Sequence, residues 1–118
     1  ACCFVRYFCT KIIRNARIIK ETIWTKVDLK QKLQEGAIIV DVRSSGEFAG
    51  GHIKGSKNIP LGSISSKIKT IQKWNKPVIT CCASGMRSGN AVRILKSNGI
   101  EAYNAGPWQK ADRLKSSN

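Results

Sequence analysis

The stretch Thr80-Cys81-Cys82-Ala83-Ser84-Gly85-Met86-Arg87-Ser88-Gly89-Asn90 decides how the rest of this chain is read. Before it, Pro77-Val78-Ile79-Thr80-Cys81 is short, apolar and β-branched, the pattern of a buried strand. After it, Ser88, Ala91, Val92 and Leu95 recur at helical spacing and predict one buried helix face. Asn98-Gly99 supplies residues that tolerate positive φ just past a helix end. A small loop with a cysteine and a glycine therefore lies between a buried strand and a helix N-terminus. Unpaired backbone N–H groups and the positive end of the helix dipole face such a loop. The same surroundings favour thiolate over thiol. Arg87 adds a permanent cation with a planar fork of donors. This is a place to make and hold a covalent sulfur or oxyanion adduct.

Upstream, Ile23-Trp24 reads as a short edge strand, and Asp28 to Gln34 as a helix that Gly36 stops. Ala37-Ile38-Ile39-Val40-Asp41-Val42 is apolar on both faces, as a parallel strand is. Ser45 to Ala49 predicts a short helix broken by Gly50-Gly51. Ser56 to Ile59 predicts a strand ended by Pro60. Ile64, Ile68 and Ile71 mark a helix through about Trp74. Downstream, Ile100-Glu101-Ala102-Tyr103 reads as a strand. Asn104 to Pro107 then turns into a last helix with proline at its start and Trp108 and Leu114 on its inner face. Alternation of strands and helices predicts an α/β domain of three layers. We expect a five-stranded, mostly parallel sheet flanked by helices on both faces.

Two segments together resemble the rhodanese family. The first is Cys82-Ala83-Ser84-Gly85-Met86-Arg87-Ser88, similar to the Cys-x-x-Gly-x-Arg-Ser active-site loop. The second is Asp41-Val42-Arg43…Glu47-Phe48, followed by Gly51-His52-Ile53, Gly55 and Asn58-Ile59-Pro60. The resemblance spans residues 23–113 and implies a single-domain form. Residues 1–22 fall outside it, and residues 114–118 read as a fraying tail. The chain departs from the family at Ala105-Gly106-Pro107-Trp108, where Gly-Gly-x-x-x-Trp is usual.

Loop length bears on chemistry. Arg87 is five positions after Cys82, as in the family's sulfurtransferases, and six after Cys81, as in Cdc25-type phosphatases. Gly85 stands at the family's third position after Cys82, Cys81 would continue the strand away from the cradle, and position 80 is threonine where those phosphatases carry histidine. These favour Cys82 as nucleophile. Open alternatives are a phosphatase or arsenate reductase built on Cys81, and a non-catalytic rhodanese-like binding module.

The resemblance implies a persulfide on Cys82, formed from a small anionic donor such as thiosulfate and passed to cyanide, a thiol or a protein acceptor. It implies that Cys82 and Arg87 are catalytic. Ala83, Ser84, Gly85, Met86 and Ser88 would line the donor site, with Arg43 at the pocket mouth. Asp41, Glu47 and His52 would support the site. As a buried carboxylate, Asp41 needs a partner, expected to be His52 or a backbone N–H; Glu47 is expected to anchor backbone around the loop. No cofactor is implied. With one histidine and adjacent cysteine pairs, no zinc ligand set is visible.

Composition sets the remaining bounds. At 118 residues the chain suits one domain, expected to be a monomer. Its net charge of +14 comes from scattered lysines and arginines, and no specific nucleic-acid motif accompanies them. Such a field favours capture of anions. Five cysteines, with Cys2-Cys3 and Cys81-Cys82 adjacent and Cys9 alone, make no disulfide framework and fit a reducing, cytoplasmic setting. Residues 1–22 are basic, with Ile12, Ala16, Ile19 and Ile23 at helical spacing. Two readings stand for them: a short helix or arm packed on the domain or partly disordered, or a basic amphipathic or juxtamembrane segment in weak contact with a membrane surface. No apolar run approaches the ~18 residues of a membrane span.

Overall fold

A computed structural model describes residues 28–116. The elements in chain order are α1 (Leu29–Gln34), β1 (Ile38–Asp41), α2 (Ser45–Ala49), β2 (Lys57–Asn58), α3 (Ile68–Trp74), β3 (Val78–Cys82), α4 (Met86–Ser97), β4 (Ala102–Pro107) and α5 (Trp108–Ser116). Two 3₁₀ turns, Leu61–Ser63 and Ser65–Lys67, lead into α3. The expectations for the arm at residues 1–22 and the strand at Ile23-Trp24 lie outside the described residues.

The four strands are parallel and stand in the order β2-β1-β3-β4. Four strands, not the expected five, therefore make up the sheet among the described residues. The chain leaves β1 toward β2 on one side, then crosses to β3 and β4 on the other. The C-terminal ends of β1 and β3 thus flank the point where strand order reverses, the usual ligand position in open α/β sheets.

Side chains alternate across each strand, and this sorts the core into two layers. Val40, Val42, Val78 and Cys82 point to one face and pack with Ile64, Ile71, Ala91, Val92 and Leu95. Ile39, Ile79 and Cys81 point to the other face and pack with Ile53, Ala105, Ala111 and Trp108. Helices α3 and α4 cover the first face; α1 and α5 cover the second. Ile64, Ile71 and Leu95 are fully buried, and each such side chain contributes about 1.5–3 kcal/mol.

Helix α4 buries Ser88, Ala91, Val92 and Leu95, the face its spacing predicts. Gly99 follows it at φ +75°. The end of the chain differs from its sequence reading. Strand β4 starts two residues later than expected and continues through Pro107, so Pro107 closes a strand instead of opening a helix. In α5 the buried residue is Ala111, with Trp108 and Leu114 half-buried. That helix runs to Ser116, so residues 114–116, expected in a fraying tail, are helical. The extra strand length has a cause. Thr80 pairs with Asn104 but Cys82 with Pro107, so β4 carries one more residue than β3 over this interval. This bulge lies beside the cysteine loop.

Candidate active site

The strand's alternation decides which cysteine faces the loop. Cys82, the last residue of β3, turns its sulfur under residues 83–88. The Gly85 N–H donates to Cys82 Sγ at 2.8 Å, and Ser88 Oγ lies 3.4 Å from the same sulfur. Burial works against a Cys82 thiolate. The Ser88 side chain and the N–H groups of Ser88, Gly85 and Ser84 outweigh it and hold the thiol below its ordinary range. Cys81 lies on the opposite face, among Ile39, Ile53 and Ile79. Burial, with Asp41 nearby, pushes its thiol up to about 12. Both thiols are free. One of two adjacent cysteines is therefore shifted toward the thiolate, and the other is a small apolar core residue.

The loop is braced from β4. Gly85 caps α4 at φ +101°, a conformation that strains any side chain. A Cβ there would sit 3.2 Å from Gly106 Cα, across the bulge. Thr80 Oγ1 donates to the Ser88 carbonyl at 3.0 Å from inside the sheet. Asn104 donates through Nδ2 to the Gly85 carbonyl at 3.0 Å, and its Oδ1 lies 2.6 Å from Ser88 Oγ. Gly85→Ala is therefore expected to cost about 1–2 kcal/mol from backbone strain alone, to add a clash with Gly106, and to raise the Cys82 pKa as the amide contact opens. Thermal unfolding and a thiol titration would read both effects; an unchanged Tm and pKa would remove the close-packing argument.

Arg87 and Glu47 form a second layer. Arg87 Nη1 and Nη2 donate to Glu47 Oε1 and Oε2 at 2.8 and 3.0 Å. Glu47 also closes a capping box with Ser44 at the start of α2. Glu47 thus anchors the arginine's side chain, a correction to the expectation that it anchors loop backbone. The Arg87 guanidinium, then the Ser44 N–H, pull the Glu47 carboxyl down to about 2. A carboxylate depressed in the folded state stabilises above its unfolded value of about 4.3. That contribution disappears as pH falls through the folded value. The pair is expected to hold throughout the neutral range and to break only near pH 2. The carboxyl ¹³C shift of Glu47 would follow this; a midpoint near its ordinary value would refute the pairing.

At the end of β1, Asp41 takes the expected backbone N–H, while its expected His52 partner and the expected place of Arg43 are corrected. Asp41, fully buried, does not pair with His52. It takes Arg43 Nε and Nη2 on its carboxylate at 2.7–3.0 Å and accepts the Arg43 backbone N–H at 3.0 Å. Arg43, expected at the pocket mouth, is instead turned into the core. It is 5% exposed, donates to the Gly51 carbonyl at 2.6 Å, and lies 5.0 Å from the Trp108 ring. His52 is exposed, donates through Nδ1 to the Phe48 carbonyl at 2.8 Å, and stacks on Phe48. It braces the end of α2 and not the cysteine loop. Asn58 braces the end of β1 by donating to the Asp41 and Arg43 carbonyls at 3.0 Å each.

The Rhodanese-like domain family model matches residues 25–106. The chain belongs to the rhodanese family. It is 35% identical over 102 residues to the uncharacterized protein YqhL of Bacillus subtilis, covering 86% of this chain and 78% of that one. It is 32% identical over 72 residues to the thiosulfate sulfurtransferase GlpE of Pseudomonas putida, covering 61% and 64%. Among solved structures, a rhodanese with anions from E. coli is similar at a TM-score of 0.57 and 30% identity, covering 63% of this chain and 89% of that one. These relatives support a sulfurtransferase-type function at the level of the family.

The rhodanese loop here is closed rather than open. Cys82 is 0% exposed, while Ala83, Ser84 and Met86 of the same loop are exposed. A cavity of about 310 Å³, lined by Ile71, Asn75, Pro77 and Ile100, lies at the other end of the strands. At this site main-chain N–H groups and the Ser88 side chain close around one sulfur. Among the described residues, no helix is long and apolar enough to cross a membrane.

Proposed function

We propose that this rhodanese moves sulfane sulfur from thiosulfate or a persulfide donor to a thiol or cyanide acceptor, through a persulfide on Cys82. The observation that carries the reading is the Cys82 sulfur, 2.8 Å from the Gly85 N–H and held below the ordinary thiol range. In the first step the Cys82 thiolate attacks the outer sulfur of the donor. A new S–S bond forms on Sγ, and the donor's bond breaks with its electron pair on the leaving sulfite or thiolate. The amide ring of residues 83–88 then balances the charge of the added sulfur. In the second step an acceptor thiolate takes that sulfur, and Sγ returns as thiolate. Neither step needs a metal or an outside oxidant.

Arg87 orients the anionic donor at the rim. Its charge is already shared with Glu47, which leaves little net positive charge for a dianion. This favours a persulfide over thiosulfate as the better donor. Acceptors are small thiols or a protein cysteine, in a reducing compartment such as the cytoplasm, and the protein acts as a monomer. Double displacement predicts parallel lines in double-reciprocal plots for donor and acceptor. Intersecting lines would sink the covalent route. Hydrolysis of aryl phosphates or reduction of arsenate in place of sulfur transfer would sink the reaction class.

A further inference from the structure

Asn104 reads in the sequence as one residue of a turn. In the fold it sits on β4 with its amide against the cysteine loop, and hydrogen-bond accounting fixes which way that amide points. The Gly106 N–H can only donate, so the atom 2.8 Å from it is Asn104 Oδ1. The Gly85 carbonyl can only accept, so the atom 3.0 Å from it is Nδ2. Oδ1 is then the atom 2.6 Å from Ser88 Oγ, and a carbonyl oxygen can only accept. Ser88 has one proton and is 0% exposed. Its oxygen also lies 3.4 Å from Cys82 Sγ. Two acceptors therefore compete for one proton. When Ser88 donates to Asn104, it offers a lone pair, which suits a thiol S–H, and an uncharged sulfur without a proton has only a weak claim on the serine's own. When Ser88 donates to the sulfur, it suits a thiolate, and Asn104 Oδ1 keeps only the Gly106 N–H.

We propose that Asn104 is a positioning residue that holds the Ser88 proton away from Cys82 while Sγ is uncharged and yields it when Sγ becomes a thiolate. The consequence for turnover rests on the sulfurtransferase reading. Once Sγ carries a second sulfur it is uncharged, and the Ser88 hydroxyl turns to Asn104. When the acceptor takes the outer sulfur, the new S–S bond forms to the acceptor. The old bond breaks with its electron pair on Sγ, and the hydroxyl turns back to meet that charge. The serine thus follows the charge of the nucleophile without losing its proton. The charged neighbours are spoken for. Arg87 of α4 is tied to Glu47 of α2, and Asp41 at the end of β1 is tied to Arg43. Cys81 on β3 points to the far face as a thiol.

The test is the Cβ ¹³C shift of Cys82 against pH in the full chain, which reports ionisation at one sulfur without a probe entering the loop. Four proteins are compared: wild type, Asn104→Ala, Ser88→Ala and the double variant. Asn104→Ala is expected to lower the Cys82 midpoint by about 0.4–1 pH unit, the range of one hydrogen bond. The same change in the Ser88→Ala background should leave the midpoint in place. A rise or no change with Ser88 present, or equal shifts in both backgrounds, overturns the proposal. If Asn104→Ala does not fold, Asn104→Asp keeps the acceptor and is expected to raise the midpoint, by more with Ser88 than with Ser88→Ala; equal shifts there overturn it too. Failure of sulfur to load on Cys82 would count against the sulfurtransferase reading and leave these titrations intact.

Discussion

Cys82→Ser is expected to abolish sulfur transfer, a fall of roughly a thousandfold or more, as for loss of any covalent nucleophile. Cys81→Ala should keep most of the activity. The contrast follows from strand geometry. The two side chains leave β3 on opposite faces, Cys82 toward the amide ring and Cys81 into the layer of Ile39, Ile53 and Ile79. A hydroxyl at position 82 could still occupy the ring, but at neutral pH it is neither anionic nor able to carry a sulfane sulfur. Cys81 is a buried small residue, so its removal is expected to cost stability of about 1 kcal/mol and little else. Assays of sulfur delivered to a thiol acceptor, run with each variant, separate the two. Retained transfer by Cys82→Ser, or its loss in a folded Cys81→Ala, would move the chemistry to the other cysteine.

Asp41→Asn should destabilise the domain by about 3–5 kcal/mol, the cost of leaving one buried charge without its partner. Asp41 is 0% exposed and Arg43 5% exposed, and the arginine's Nε and Nη2 are both spent on the carboxylate. Neutralising Asp41 leaves a guanidinium in the core with the Gly51 carbonyl and the Trp108 ring around it. Replacing both partners together, Asp41→Leu with Arg43→Met, should recover part of the loss, because no orphan charge then remains. Urea unfolding reads both variants. A loss under about 1 kcal/mol in Asp41→Asn would mean that the pair is solvated and does not anchor the end of β1.

Much of the fold was legible because it rests on local patterns. The strand before Cys82, the α4 face at Ser88, Ala91, Val92 and Leu95, and the short helix Ser45–Ala49 with its glycine break all follow from spacing and capping. What misled was long-range. His52 is the lone histidine and looks like a partner for Asp41, yet a side chain two residues along the chain, Arg43, reaches it with better geometry. Nothing in a one-dimensional pattern distinguishes an arginine that turns inward from one at a rim. The bulge in β4 was invisible for the same reason. It depends on pairing with β3, and it is what brings Asn104 and Gly106 against Gly85. A polar Asn104 between the apolar Ala102 and Ala105, three positions apart instead of two, was the available hint. Glu47 was placed near the site, but its bidentate grip on Arg87 spans 40 positions of sequence.

The most direct test is the peptide-resolved mass of the protein after brief exposure to a sulfane-sulfur donor, without reductant. A gain of about 32 Da, one sulfur atom, is expected on Cys82 and is reversed by cyanide or a thiol. The same gain on Cys81, with Cys82 unmodified, would contradict the account.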